Sequence, residues 1–137
     1  MFVHQIQLRV CYADTDQMGY VYYGNYARYY EIARVEALRS LGCTYKELET
    51  SGTLMPVYEN TSRYLQPALY DDLLTIKVYV KALPAVRIVF EYEIFNEQGT
   101  LLHTGVTTLV FIQKQNQKLS KAPRELLTRL QPYFSEK

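Results

Sequence analysis

Residues 12–42 read Y-A-D-T-D-Q-M-G-Y-V-Y-Y-G-N-Y-A-R-Y-Y-E-I-A-R-V-E-A-L-R-S-L-G. The stretch divides into a strand end, an acidic loop and one long helix. Asp14 and Asp16 stand in the loop, which closes at Gly19. The following residues lead into a helix expected from Gly24 or Asn25 to Leu41. Tyr26, Tyr30, Ala33, Ala37 and Leu41 recur at steps of four and three and form an apolar stripe. Arg28, Glu31, Arg34 and Arg39 fall on the other faces, where they can form i,i+3 pairs. Asn25 is a fair N-cap and Gly42 a good residue just past the end. Such a helix is about 25 Å long, roughly the length of an eight-residue strand. It can therefore cover a whole sheet.

The flanking sequence supplies that sheet. Upstream, Ile6, Leu8, Val10 and Tyr12 alternate with Gln5, Gln7, Arg9 and Cys11, a first strand with one face inward. Downstream, a short helical stretch over residues 44–50 precedes a long strand over 54–64, with Pro56 marking an edge or a bulge. The run P-A-L-Y-D-D makes a turn. Leu74, Ile76, Val78, Val80 and Ala82 alternate with polar residues or Tyr79, and Ile88, Phe90, Tyr92 and Ile94 do the same after Pro84. N-E-Q-G at 96–99 is a hairpin turn. The last strand, 101–112, is apolar on both faces, with Leu102, Val106, Val110 and Ile112 on one and Leu101, Leu109 and Phe111 on the other. Both faces need cover; the helix supplies one and a partner subunit the other. Residues 114–121 make a polar connection, and 123–134 close the chain as a short helix with proline at its start. The order implies an α+β fold, a five-stranded antiparallel sheet wrapped around one long helix, in a single domain over 1–137.

Composition excludes several function classes. A net charge of +1 over 137 residues offers no basic face for nucleic acid. No run approaches the ~20 apolar residues of a membrane span, and the first residues show no signal peptide. Cys11 and Cys43 make no disulfide framework and are expected as buried free thiols of a cytoplasmic protein. D-x-D-x-x-G begins like a calcium loop, but Met18 and Asn25 occupy places where oxygen ligands are required. No other cluster has metal spacing, so neither metal nor cofactor is expected. Fourteen tyrosines, half of them within the first 30 residues, suit core and subunit contacts.

The loop and the helix together carry chemistry. A helix N-terminus offers unpaired N–H donors and partial positive charge to an oxyanion. A carboxylate facing those donors is an arrangement for opening an ester or thioester. Taken alone, Asp16 reads as a turn residue bonding its own backbone. Asp14 reads as a structural turn or cap residue, and Asp71-Asp72 as a turn before a strand. His4 and His103 fall in strand patterns, at surface or satisfied core positions.

The same residues resemble a known family. Y-A-D-T-D-Q-M-G-Y-V-Y-Y-G-N-Y-A-R-Y-Y-E-I-A-R is similar to the signature of the hotdog-fold acyl-CoA thioesterases of the 4-hydroxybenzoyl-CoA thioesterase type and their Tol-Pal-associated relatives. The run Tyr70-Asp71-Asp72-x-Leu74-x-Ile76 and the closing K-A-P-R-E-L-L extend the match over nearly the whole chain. The resemblance implies a hotdog fold, no cofactor, and an acyl-CoA or acyl carrier protein substrate. It also implies homodimers or homotetramers with sites at the subunit interface. Asp16, the second aspartate of the motif, is the implied nucleophile or general base, and the backbone N–H at about Tyr23 the implied oxyanion donor. Gly24, Asn25 and Tyr26 match the helix start of the family and are expected at the substrate. Glu59 and Asn60 are polar pocket candidates on the second strand. Two departures stand out. Tyr23 occupies a position where many bacterial relatives have histidine. A basic cluster that grips the CoA phosphates in some relatives is replaced by Leu83-Pro84-Ala85-Val86, which leaves Arg87, with Lys81, Arg63 and Lys121, as candidates. A non-catalytic acyl-thioester binding module is the alternative. A dehydratase of this fold would want a histidine by the loop, where there is none.

Overall fold

The protein is described over residues 1–134 by a computed structural model. Helix α1 runs Tyr26–Ser40, preceded by a 3-10 turn, Tyr23–Asn25. Its apolar stripe is buried throughout, with Tyr29 and Leu38 widening it. Gly42 adopts a left-handed conformation (φ +79°) and returns its N–H to the Arg39 carbonyl, which ends the helix. Two expectations for α1 are corrected. Arg34 is buried and makes no i,i+3 pair among the described residues; its Nε donates to Tyr45 Oη and its Nη1 to Tyr92 Oη, both at 3.1 Å. Asn25 does not cap the helix, since its backbone is already helical and its side chain makes no cap bond. Of the i,i+3 pairs, Arg39–Glu36 forms at 3.3 Å, whereas Arg28 turns to Asp14.

The sheet has five long strands, β1 (Phe2–Arg9), β3 (Val57–Tyr64), β4 (Leu73–Val80), β5 (Arg87–Phe95) and β6 (Leu101–Gln113). Two-residue strands β2 (Thr53–Leu54) and β7 (Leu119–Ser120) extend it at the end of β6. The order is β1-β4-β5-β6, with β3 and β2 along the far side of β6 and every pairing antiparallel. This is the expected sheet around one helix. Short helices α2 (Tyr45–Thr50) and α3 (Arg124–Leu130) complete the fold. Thr44 caps α2 through its hydroxyl, and Pro123 stands at the cap of α3 rather than inside its first turn.

Several boundaries differ for local reasons. β1 starts at Phe2 and ends at Arg9; the chain then leaves the ladder in a 3-10 turn, Tyr12–Asp14, so Tyr12 and Cys11 are exposed and only Cys43 is a buried thiol. The long second strand is broken at Met55-Pro56 into β2 and β3, because proline has no N–H to give the ladder. β3 also carries a bulge, since Val57 pairs with Leu109 and Glu59 with Thr108, leaving Tyr58 unpaired. Leu102 is likewise an extra residue between the pairs Ile94–His103 and Phe95–Leu101. It therefore sits buried out of phase with Val106, Val110 and Ile112, which are half-buried on the face away from α1.

Tyr30 carries α1 into the sheet, reaching β3, β5 and β6 with its side chain. Its ring stacks on Tyr92 at 4.2 Å and 3°. Its hydroxyl bonds Ser62 Oγ at 2.6 Å and also His103 Nε2. This position is open only because residue 105 is glycine; a Cβ there would overlap the Tyr30 hydroxyl and ring. The ring cannot step aside, being held on both ends. Gly105→Ala is expected to cost about 3 kcal/mol, read as a lower urea midpoint. A midpoint equal to wild type would contradict this packing.

Candidate active site

The acidic loop is a narrow ribbon. Tyr22 N–H donates to the Asp14 carbonyl at 2.9 Å, Thr15 bridges Val21, and Asp16 N–H donates to the Tyr20 carbonyl at 2.8 Å. Gly19, at φ +79°, closes the tip with a bond to the Asp16 carbonyl. The returning arm is stapled to the next segment by Val21 N–H on the Ala68 carbonyl and by a Tyr20–Leu69 bridge. Asp71 and Asp72 turn that segment into β4, bonding Val10 in both directions, so the turn is as expected.

The two aspartates have different surroundings. Asp14 is buried and fully engaged. Its Oδ1 accepts from Arg28 Nη2 at 2.7 Å, and its Oδ2 accepts from Tyr29 Oη at 2.9 Å and Cys11 N at 3.1 Å. Burial and the bond to Asp14 push the Tyr29 hydroxyl well above the usual tyrosine pKa. The Asp14 carbonyl also accepts Asn25 Nδ2 at 2.8 Å. Asn25 thus ties the helix start to the loop instead of capping the helix. Asp16 is half-buried. Its Oδ1 accepts the amides of Met18 at 2.9 Å and Tyr20 at 3.2 Å. Its Oδ2 has no partner among the described residues.

The ribbon runs directly into the helix start. Tyr22 is extended, and Tyr23, Gly24 and Asn25 form the first turn. Asn25 N–H returns to the Tyr22 carbonyl. Among the described residues the amides of Tyr23 and Gly24 donate to no one, as the first donors of a helix do. The Tyr22 ring lies over Gly24, where a Cβ would come within 2.7 Å of it. Tyr26 is buried beneath, stacked on His103 at 3.9 Å and 4°, with its edge toward Tyr64 at 5.5 Å. Burial pushes the pKa of its hydroxyl up.

Of the expected residues, Asp16, Tyr23, Gly24, Asn25 and Tyr26 share this one ribbon and turn. Glu59 does not join them. The register places Asn60 and Ser62 on the α1 side of β3, facing Thr107 and Gly105, and Glu59, Thr61 and Arg63 on the opposite side. Asn60, the other polar candidate, therefore shares the helix face, and Thr107 Oγ1 donates to its Oδ1 at 2.7 Å. Arg87 lies opposite Val110, while the loop side of the chain joins β6 at Leu102. Eight residues of strand separate the two, about 26 Å. The Arg87 guanidinium lies 5.7 Å from the Tyr58 ring centre and shares a hollow of about 330 Å³ with Lys121. Lys81 is engaged by Glu91 at 3.1 Å. Among the described residues no His, Cys, Asp and Glu group could hold a metal, and no helix is long and apolar enough to cross a membrane.

His103, expected at a surface or satisfied core position and not by the loop, lies against Tyr26 at the helix start. It is fully buried, with Nδ1 unpartnered among the described residues. The only signal was a histidine on the inward phase of β6.

A wrapped antiparallel sheet, one long helix and an acidic loop feeding its N-terminus define the hotdog class of thioester hydrolases. The chain belongs to the thioesterase superfamily, whose family model matches residues 18–103. It is similar to an acyl-CoA thioester hydrolase, YbgC, of Escherichia coli O6:H1, 31% identical over 88% of this chain and 90% of that one. A 1,4-dihydroxy-2-naphthoyl-CoA hydrolase of Thermosynechococcus vestitus is 29% identical over 88% of this chain and 83% of its own. The crystal structure of a DHNA-CoA thioesterase from Staphylococcus aureus superposes with a TM-score of 0.84 at 34% identity, covering 98% of this chain and 85% of that one.

Two outcomes follow from this geometry. Asp14→Ala strands the Tyr29 hydroxyl and the Cys11 amide and is expected to cost about 2 kcal/mol or more. It should also lower turnover with Asp16 intact; a variant with both stability and turnover unchanged would show that the anchor is dispensable. Burial lowers the His103 pKa from 6.5 to about 4. Between those values the unfolded chain binds a proton that the folded chain does not, so stability falls as pH drops through the window. The full effect is on the order of 3 kcal/mol. The fall in Tm from pH 6.5 to pH 4 should be shallower in His103→Gln; parallel curves would rule out a neutral buried ring.

Proposed function

We propose that the chain hydrolyses the thioester of an acyl-CoA, or of an acyl carrier protein, with Asp16 as nucleophile or general base. The observation that carries the reading is the carboxylate of Asp16. One oxygen is tied to the Met18 and Tyr20 amides, and the other is free, on a ribbon that leads into a helix start with two unpaired amides. The carbonyl oxygen of the substrate sits against the Tyr23 N–H, where the helix dipole adds to the donor. Asp16 either attacks the carbonyl carbon or takes a proton from a water that does. In the first route the C–S bond breaks to a thiolate and a mixed anhydride, which water then opens. In the second the water oxygen forms the acid directly. Either way the thiolate leaves with the electron pair and is protonated, and no cofactor is consumed. A thioester already has a good leaving group, so a base worth about 10²–10⁴ and an oxyanion donor worth about 10²–10³ supply the main needs.

The substrate groove lies between subunits of a homodimer or homotetramer. The exposed length of β3, with Val57, Tyr58 and Tyr64 open to solvent, supports that reading. Two free thiols fit a reducing, cytoplasmic setting. Asn60 replaces Glu59 as the polar residue of β3 next to the groove. Arg63, Arg87 and Lys121 are the cations left for the phosphates.

One observation favours the non-catalytic alternative: the bonds that Oδ1 accepts are those of any aspartate in such a turn. Asp16→Asn separates the two readings, because asparagine keeps that oxygen acceptor and the turn while removing the charge. Thiol release from a panel of short, medium, long and aromatic acyl-CoAs should fall about 10²-fold or more in kcat, with fold and oligomer unchanged. Near-normal turnover by the variant would sink the role of Asp16. No turnover by either protein on CoA or carrier-protein thioesters would favour a binding module.

A further inference from the structure

Helix α1 covers the inner face of the sheet except along β3. Tyr92, His103 and Thr107, which face the helix from β5 and β6, are buried. On β3 the residues of that face are Asn60, Ser62 and Tyr64. Asn60 and Tyr64 are exposed and Ser62 is half-buried. The three residues floor an open trough beside the helix. It begins at Tyr64, which packs against Tyr26 at the start of α1. Asn60 lies four strand residues farther along, about 13 Å.

Polar contacts lead from Asn60 back to a buried cation. Arg34 gives its Nε to Tyr45 Oη and its Nη1 to Tyr92 Oη. Among the described residues no carboxylate pairs with it, Glu31 one turn back included. A buried charge ordinarily has an opposite charge beside it; Arg34 has neutral hydroxyls. The bonds outward from it run in one direction. A guanidinium can only donate, so Tyr92 Oη accepts. Burial pushes the Tyr92 hydroxyl up to about 12, against the Arg34 charge and the Thr107 hydroxyl beside it. Tyr92 therefore keeps its proton, which is left for Thr107 Oγ1. Thr107 Oγ1 in turn donates to Asn60 Oδ1 at 2.7 Å. This direction fixes the amide: Oδ1 faces Thr107, and the Nδ2 donors are turned to the trough. Each bond in such a chain polarises the next, so the outer amide is a strengthened donor. Among the described residues nothing accepts from it.

We propose that the Asn60 amide binds an oxygen acceptor carried at the far end of the acyl chain, most strongly a carboxylate, with Arg34, Tyr92 and Thr107 holding the amide in its donating orientation. The proposal rests on the reading of the chain as a thioester hydrolase with its oxyanion donor at the helix start, and it names the class of acyl group. The thioester carbonyl sits at Tyr23, and the acyl chain runs along the trough past Tyr64 and Ser62 to Asn60. A short acyl group ends before it. A methyl end that reaches it strips water from the amide and returns no hydrogen bond. A carboxylate end returns the bond and meets the positive potential of Arg34. Asn60 is then a binding residue, and Thr107 a positioning residue that acts through it.

The test compares ω-carboxyacyl thioesters with methyl-ended acyl thioesters of the same length, from short to medium, on CoA and on carrier protein. It reads the ratio of their kcat/KM values within each protein. In the wild type the ratio should favour the carboxylate about tenfold, through KM, and only at lengths that span the trough. Asn60→Asp presents an oxygen in place of the donors and should reverse the ratio. Thr107→Val frees the amide to turn and should abolish the preference, whereas Thr107→Ser keeps the hydroxyl and should retain it. Equal kcat/KM values for the two classes in the wild type, a preference that is the same at every length, or one that survives in Asn60→Asp would overturn the recognition and leave the hydrolase standing. A wild type that turns over no thioester of either class would remove the hydrolase reading and this one together.

Discussion

The rest of the molecule depends on the contact that α1 makes with the sheet where Tyr30 enters the space left by Gly105. Here one residue without a Cβ lets a tyrosine ring lie flat on Tyr92 and bring its hydroxyl to Ser62 and His103. That contact ties the middle of α1 to β3, β5 and β6. It also sets which way its first turn points, because Tyr26, one turn earlier, stacks on the same His103. The position of the helix start is therefore fixed from below by aromatic packing, before the loop adds anything.

The loop adds a second constraint, and the two aspartates divide the work. Asp14 gives up its exposure to bind Arg28, Tyr29 and the Cys11 amide, and its carbonyl holds Asn25 and Tyr22. Its burial is compensated bond for bond, as a buried carboxylate requires. Asp16 gives up only one oxygen, to two amides of its own turn. A carboxylate held on one side and open on the other is oriented without being consumed.

Much of this was legible in the residues. The stripe Tyr26, Tyr30, Ala33, Ala37 and Leu41 identified the buried side of α1, and alternation identified the long strands. The readings that failed share a cause: each concerned a residue whose surroundings come from elsewhere in the chain. Arg34 looked like a partner in an i,i+3 pair because helical periodicity carries no information about Tyr45 and Tyr92, whose hydroxyls make its burial tolerable. Asn25 looked like a cap because the pattern at a helix start does not reveal that Asp14 offers its carbonyl. Glu59 and Asn60 were indistinguishable until the bulge at Tyr58 set the phase of β3, since one extra residue reverses every side chain beyond it. Leu102 was assigned to the wrong face of β6 for the same reason.

The sequence by itself determined the elements, their order, the helix that the sheet wraps and the acidic loop at its N-terminus. These are written in local periodicity, in turn residues and in the spacing from Asp14 to Tyr26, all carried by neighbours along the chain. Only the tertiary structure decided which aspartate is consumed as an anchor, which side of β3 faces the helix, and that His103 lies buried under the first turn of α1. Those outcomes depend on contacts between residues far apart in sequence, where burial and hydrogen-bond supply are properties of the packed whole and not of any one segment.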